Sequence, residues 1–445
     1  MTETDIIIIG AGPGGYRAAH HAAKAGRRVV LIERGQLGGT CLHVGCIPTK
    51  TLARHAEVME TLRQAPLFGV SGVAEPAVNL QQVMERKEQV VAQLTAGIRQ
   101  LLSLPQLRFV EGEARFVAPH VVAVGDEELS APVIIIATGS EPRMLTLEEC
   151  DPSLVVSSDE MLSLSQLPRR LCIVGAGVIG MEFASIFSSF GSEVTVVEYL
   201  KECLPVLDSD IAKRLRKTLE KRGVRFVMQA AVKAVRQGGV EYERKGKAER
   251  VEADCVLMAV GRKPRLEGLC LEAAGIDYTP KGIVVDDQLQ TTQEGVYAIG
   301  DVNGRQMLAH AATMQGLHVV NRLLGQPDAI DLRVMPSAVF TLPEAASVGL
   351  SEDECKAQGL NYICRKAFHR ANGKAMAMNE TEGMVKLMAD AATGLILGCH
   401  GYGAHTADMV QEVASLICRH TTLSQLADIT HIHPTLGEMV QELAG

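Results

Sequence analysis

Cys41 and Cys46 stand five positions apart in the run Gly38-Gly39-Thr40-Cys41-Leu42-His43-Val44-Gly45-Cys46-Ile47-Pro48-Thr49-Lys50. The spacing is that of neither a thioredoxin-like CxxC nor a zinc site, and no second ligand pair stands nearby, so no metal is expected. In a regular helix, residues five apart are too distant and point in different directions for a good disulfide. A bridge here needs distorted backbone, which Gly45 can supply. A strained bridge is easily reduced, which suits electron exchange rather than stapling. Two unrelated buried cysteines are the alternative in a chain that holds 11. Far downstream, His433-Pro434-Thr435-Leu436-Gly437-Glu438 offers an imidazole and a carboxylate. An imidazole titrates near neutral pH and can take the proton that a dithiol must lose before it attacks a disulfide. Pro434 is expected to open a helix that carries Glu438 back to the ring and fixes its tautomer. His431 competes as a base, without an acid at the matching spacing.

A second chemistry is written in glycine. The apolar run Ile6–Ile9 leads into Gly10-Ala11-Gly12-Pro13-Gly14-Gly15, then a small-residue helix at 18–25 and an apolar run at 29–32 that ends in Glu33. The pattern returns at 171–174 with Gly175-Ala176-Gly177-Val178-Ile179-Gly180, a helix, and 194–197 ending in Glu198. In both copies the acid lies 18 positions after the last glycine (33 − 15 and 198 − 180). One GxGxxG is weak evidence; strand, glycines, helix, strand and acid at one offset, twice, is strong. The expected unit is a βαβ turn round a dinucleotide, with the pyrophosphate on the helix N-terminus and the acid on the ribose. A carboxylate at Glu198 favours NAD over NADP, because it repels a 2′-phosphate.

The chain must hold these groups in several domains. Its 445 residues, 47% of them hydrophobic, suggest about three domains at roughly 150 residues each. A charged fraction of 22% excludes global disorder, and a net charge of −8 gives no large basic surface for nucleic acid. No apolar run reaches the ~18 residues of a membrane span, and no signal-peptide pattern opens the chain. With cysteines odd in number and scattered, a cytoplasmic location is expected. Return strands are read at 133–137, ending in Thr138-Gly139, and at 255–260, closing the second unit before Gly261-Arg262. A further strand at 296–299 precedes Gly300-Asp301. Residues 142–168, rich in Pro, Ser and acids, read as a linker. From about Leu332 an α+β tail carries strands at 338–341, 384–388 and 395–400 and a helix at 407–420.

Taken together, the two glycine units, GGTCLHVGCIPTK, IIIATGS, VYAIGD, MLAHAA and HIHPTLGE resemble the flavoprotein disulfide reductases over nearly the whole chain. The resemblance implies an α/β fold with two Rossmann-like domains, for FAD and NAD, and a C-terminal α+β dimerisation domain. The implied boundaries are 1–143 (FAD, with the redox disulfide), 144–264 (NAD), 265–331 (FAD and central part) and 332–445 (dimerisation). Implied cofactor contacts are Gly10, Gly12, Gly15, Glu33, Arg34, Gly39, Thr40, Lys50, Ala114, Thr138, Gly139, Asp301, Ala309, Gly175, Gly177, Val178, Gly180, Glu198, Val232, Gly261 and Arg262. Cys46 would be the thiolate against the flavin and Cys41 the thiol that exchanges with substrate. His433 would be the acid–base and Glu438 its partner. Lys50, near the flavin, would pair with Glu182, and Val178 would cover the nicotinamide pocket. A homodimer is implied, with His433 facing the other subunit's cysteines.

Within that family, Glu198 argues against the NADP-linked glutathione type and a tail without a cysteine pair against the mercuric type. Cys41 is lacking in the soluble transhydrogenases. Residues 372–377 (Asn-Gly-Lys-Ala-Met-Ala) with Glu380-Thr381-Glu382-Gly383 resemble the lipoamide-oxidising members. The expected reaction is oxidation of a protein-bound dihydrolipoyl group by NAD⁺, its carrier belonging to a 2-oxo acid dehydrogenase or glycine-cleavage complex. The alternatives are NADH-driven reduction of another disulfide or metal ion, and a flavin-binding assembly subunit without turnover. His43 stands where the family usually has Asn; protonated beside Cys46, it would lower the pKa of that thiolate. Only seven residues follow Glu438, fewer than in many relatives.

Overall fold

All four side chains of Ile6–Ile9 are buried, as they must be in a parallel strand covered on both faces. In the computed structural model, which describes residues 2–445, this run is the central strand of a five-stranded parallel sheet. The order across it is Val296–Ala298, Val133–Ile136, Ile6–Ile9, Val29–Glu33, Leu107–Glu111. Side chains alternate between two cores with the period of two that a strand imposes. Ile7, Ile9, Val30, Ile32, Ile134 and Ile136 enter one core, while Ile6, Ile8, Val29, Leu31 and Ile135 enter the other with helix Pro13–Lys24.

The second glycine motif repeats the plan. Its sheet runs Val155–Ser157, Cys255–Met258, Arg170–Val174, Glu193–Glu198, Arg225–Met228, again all parallel. In each copy an antiparallel meander of three strands sits between the outermost strand and the return strand. It spans residues 114–130 in the first copy and 230–252 in the second. A third sheet is antiparallel, in the order Ser337–Val339, Ala345–Gly349, Ile396–Tyr402, Met384–Asp390, Tyr362–Phe368. Helix Thr406–Cys418 buries Met409, Val410 and Val413 in the same core as that sheet.

The chain divides into two compact units. One is Met1–Thr51, Gln81–Arg143 and Gly261–Leu332, and holds the first sheet; the other is Leu52–Leu80, Met144–Val260 and Arg333–Gly445, and holds the other two. The stretch 142–168, expected as a linker, is partly structural. Val155–Ser157 is an edge strand of the second sheet, and Ser157 with Glu160 forms a capping box on the short helix Ser158–Met161. Three half-buried residues make no apolar run, so the pattern hid them. Among the described residues no helix is long and apolar enough to cross a membrane.

Within the second unit one buried ion cluster ties the parallel sheet to the antiparallel one. Lys386, 1% exposed, places Nζ 2.7 and 2.8 Å from the two oxygens of Asp208 and 2.6 Å from Glu352. Asp208 also caps helix Ser209–Lys221, and its N–H donates to His400 Nδ1 at 3.2 Å. Lys386→Met is expected to cost about 3–5 kcal/mol in denaturant titrations, because the buried Asp208 carboxylate loses its cation and Glu352 keeps only Lys356. Lys356 and Lys386 hold the Glu352 carboxyl at about 2, below its ordinary 4.5. A lowered folded-state pKa gives stability that is present above pH 4.5 and is lost as pH falls towards 2. The variant is therefore expected to lose part of that acid-side dependence.

Candidate active site

The helix Gly39–His43 stops at Val44, and a new helix, Cys46–Gln64, starts two residues on. The break is at Gly45, where a Cβ would lie 2.8 Å from the Thr40 carbonyl oxygen and 3.2 Å from Cys41 Cα. Only a residue without a side chain lets the chain fold back this closely, and the fold-back brings the two cysteine side chains into hydrogen-bonding contact. The bond to Cys46 and burial together push the Cys41 thiol well up, while the Lys50 ammonium, one turn beyond Cys46, pulls it down. His43 places its Nε2 2.8 Å from the Leu37 carbonyl oxygen, and the cation that acts on Cys41 is Lys50.

The two glycine motifs have matching geometry. Gly10 has φ +103°, and a Cβ there would lie 2.3 Å from the Ala137 oxygen; a Cβ on Gly15 would lie 1.8 Å from the Gly10 oxygen. The second copy repeats this at Gly175 and Gly180, with 2.5 Å to the Ala259 oxygen and 2.0 Å to the Gly175 oxygen. At the middle glycines, Gly12 and Gly177, nothing lies within 4 Å. Each is the extended N-cap of its helix and no side chain caps it, so the first N–H groups stay open to a ligand. Glu33 accepts from the N–H of Ala11 at 2.6 Å and of Gly35 at 2.8 Å. Glu198 does the same with Ala176 at 2.6 Å and Leu200 at 2.7 Å. Both cradles therefore fit a dinucleotide: space and donors for phosphate, with a fixed carboxylate beside them. Gly12→Val is expected to fold with an unchanged thermal midpoint as the apoprotein yet to lose its dinucleotide, measured by absorbance after gel filtration. Gly15→Val, which collides with backbone, is expected to unfold.

Other expected contacts cluster in the first unit. Gly39, at φ +57°, packs so that a Cβ would lie 2.8 Å from Gly12 Cα, which sets Thr40 beside the phosphate turn. Ser140 links two expected residues, donating to Asp301 Oδ2 at 2.6 Å and accepting from Arg262 Nε at 2.8 Å. Burial pushes the Asp301 carboxyl up, against the pull of Ser140 and Arg262. The strand at 255–258 closes the second parallel sheet as expected, and Gly261 and Arg262, which follow it, fall in the first unit. Thr138 donates to the Arg265 carbonyl, and Gly139 at φ +72° faces open space. Ala309 opens helix Ala309–Leu323. Gly14 of the first-motif helix packs on Ala312 at 2.9 Å from a built Cβ, a close approach the motif alone did not foretell. Arg34 is paired with Glu113 at the surface, and Ala114 is buried in the meander opposite Val124.

In the second unit Val178 opens helix Val178–Phe190, and Val232 sits at a β-bulge. Glu182, nearly fully buried on that helix, accepts from the Phe340 N–H at 2.9 Å. Lys50, its expected partner, belongs to the first unit.

The imidazole and carboxylate of the tail do meet, though not by the expected route. Pro434 follows a cis peptide bond and opens no helix; the last helix begins at Glu438 itself. A short turn brings Glu438 Oε1 to 2.8 Å from His433 Nδ1. The Thr435 N–H and His433 together hold the Glu438 carboxyl below its ordinary value. A carboxylate at Nδ1 requires a proton there, which leaves Nε2 as the basic nitrogen of a ring that is 81% exposed. His431 has an acid after all: Glu412 of helix Thr406–Cys418 lies 2.8 Å from its Nε2, and the Ile429 oxygen 3.1 Å from its Nδ1. Both nitrogens of His431 thus face an acceptor. It is an anchor, and Glu412, 19 residues earlier, gave no local sequence signal.

Known proteins carry this combination. The family model for pyridine nucleotide-disulphide oxidoreductases matches residues 4–316, and the model for that family's dimerisation domain matches residues 335–444. A dihydrolipoyl dehydrogenase of Bacillus subtilis is 39% identical over 100% of this chain and 98% of its own length. That of Mycoplasma pneumoniae is 37% identical over 99% and 97%. Among solved structures, the Cu(II) complex of the HOCl-induced flavoprotein disulfide reductase RclA from Escherichia coli superposes with a TM-score of 0.89. It is 30% identical and is covered to 99%, over 100% of this chain. The cysteine pair, the twin cradles and the antiparallel C-terminal sheet thus place the chain in the pyridine nucleotide-disulphide oxidoreductase family, whose cofactors are FAD and NAD(H).

Proposed function

We propose that the chain is a dihydrolipoyl dehydrogenase, oxidising a carrier-bound dihydrolipoyl group with NAD⁺. The observation that carries this reading is the cysteine pair, folded back on itself at Gly45 until the two side chains meet, with an ammonium one turn beyond Cys46. The boundaries expected for the FAD, NAD and dimerisation regions are kept as part of the proposal. FAD, which the first glycine cradle would hold, would supply two-electron transfer between the cysteine pair and NAD⁺, which the second cradle would hold. His433 Nε2 of one protomer takes a proton from the substrate dithiol at the cysteine pair of its partner. The substrate thiolate attacks Cys41 Sγ, the Cys41–Cys46 bond breaks, and Cys46 leaves as a thiolate with Lys50 one turn along its helix. The second substrate sulfur then attacks the mixed disulfide. Cys41 departs with the proton that this second thiol gives up, His433 keeps the first, and the substrate leaves as a cyclic disulfide. Glu438 holds the ring in the tautomer this needs. Glu33 and Glu198 would hold the two adenosine riboses, and Lys50 would stand beside the flavin.

The test is steady-state NADH formation from NAD⁺ and dihydrolipoamide by the flavin-loaded protein, against a Cys46→Ser control. Turnover no faster than the control rejects catalysis through the pair and leaves a flavin-binding assembly subunit. The likeness to the E. coli disulfide reductase supports a second reading, NADH-driven reduction of another disulfide or a metal ion. It prevails if such an acceptor oxidises NADH with a higher kcat/KM than lipoamide does.

A further inference from the structure

We propose that Asn372 is the positioning residue that presents the His433–Glu438 pair; this rests on the reading of His433 as the base. Asn372 is 3% exposed and lies in the segment 372–377, to which no step of the reaction has assigned a task. Its two side-chain atoms do different things. Oδ1 accepts from the Ala375 N–H at 3.0 Å, capping helix Gly373–Met378, and this fixes the other atom as the amide nitrogen. That nitrogen donates to the Thr435 carbonyl oxygen at 3.0 Å. Thr435 is pinned on its other side too, since its N–H donates to Glu438 Oε2 at 2.8 Å. Its hydroxyl donates to the Ile432 carbonyl at 2.7 Å.

The loop that carries the base is thus tied down at Thr435 by a residue 63 positions earlier, and the same Thr435 holds the carboxylate that orients the ring. The ring itself is 81% exposed, with Glu438 as its hydrogen-bond partner among the described residues. Its place therefore depends on the loop. Only a side chain with an acceptor and a donor side by side can cap the helix and hold Thr435 at once.

This division of labour gives a separating variant. In Asn372→Asp the cap survives, because Asp caps as well as Asn, but the donor to Thr435 is replaced by an oxygen that repels its carbonyl. Asn372→Ser also keeps a capping acceptor and cannot span to Thr435. For both holoenzymes flavin content and NADH-driven reduction of dichlorophenolindophenol should stay at wild-type level. The kcat for dihydrolipoamide oxidation should fall about 10- to 100-fold, with KM within about twofold. Unchanged kcat in both variants, or dye reduction falling in step with kcat, overturns the role of Asn372. Unchanged kcat in His433→Gln overturns the reading beneath it instead, so the two failures are told apart by which variant stays active.

Discussion

Cys46→Ser is expected to keep its flavin and to lose dithiol-dependent NADH formation by about 10⁴-fold or more, as removal of a covalent nucleophile does elsewhere. Serine fits the volume of cysteine, and the fold-back at Gly45 does not depend on sulfur, so the loss should come without unfolding. The oxygen can neither bond to Cys41 nor leave as a thiolate. The same variant reports on electron capacity. Reductive titration of the wild-type holoenzyme should consume one electron pair for the flavin and one for the bridge, with two thiols appearing per subunit. Cys46→Ser should consume only the first pair. Equal uptake by both proteins, with no new thiols in the wild type, would show that the cysteines stand outside the electron path.

His433→Gln should lower kcat/KM for dihydrolipoamide by about 10²- to 10⁴-fold, the range for loss of a general base. The surviving activity should rise with pH, because substrate thiolate formed in solution then replaces proton transfer to the protein. His431→Gln is the informative neighbour. Its ring is wedged between Glu412 and the Ile429 carbonyl, so its loss should show chiefly as a lower unfolding temperature. If the two substitutions exchanged their effects, the base would be misassigned.

Both glycine cradles were legible in the sequence because backbone sterics admit no substitute at their first and third glycines. The offset of 18 to each acid follows from the length of one helix and one strand. Parallel strands announced themselves as unbroken apolar runs. What stayed hidden depends on partners far along the chain. Val155–Ser157 is a strand only because Cys255–Met258 lies beside it. His43 looked poised for Cys46, yet turns to Leu37. The tail motif named the right pair, His433 and Glu438, through the wrong local structure, since their meeting is made by a turn instead of a helix. The acid of His431 and the amide that holds Thr435 lie 19 and 63 residues upstream, beyond any local pattern.

The way Glu198 is held bears on how the coenzyme preference could be changed. Each of its oxygens already serves a backbone amide, one from the turn between the glycines and one from the strand's exit. Exchanging it for arginine to welcome a 2′-phosphate would add a cation and, in the same stroke, orphan both amides. A retargeted coenzyme pocket would need a new acceptor for that turn before the exchange could be tolerated. With Glu198 as the proposed ribose acid, discrimination between the two nicotinamide coenzymes would be built into the frame of the domain, and a lineage could not drift from one to the other by single steps at this position.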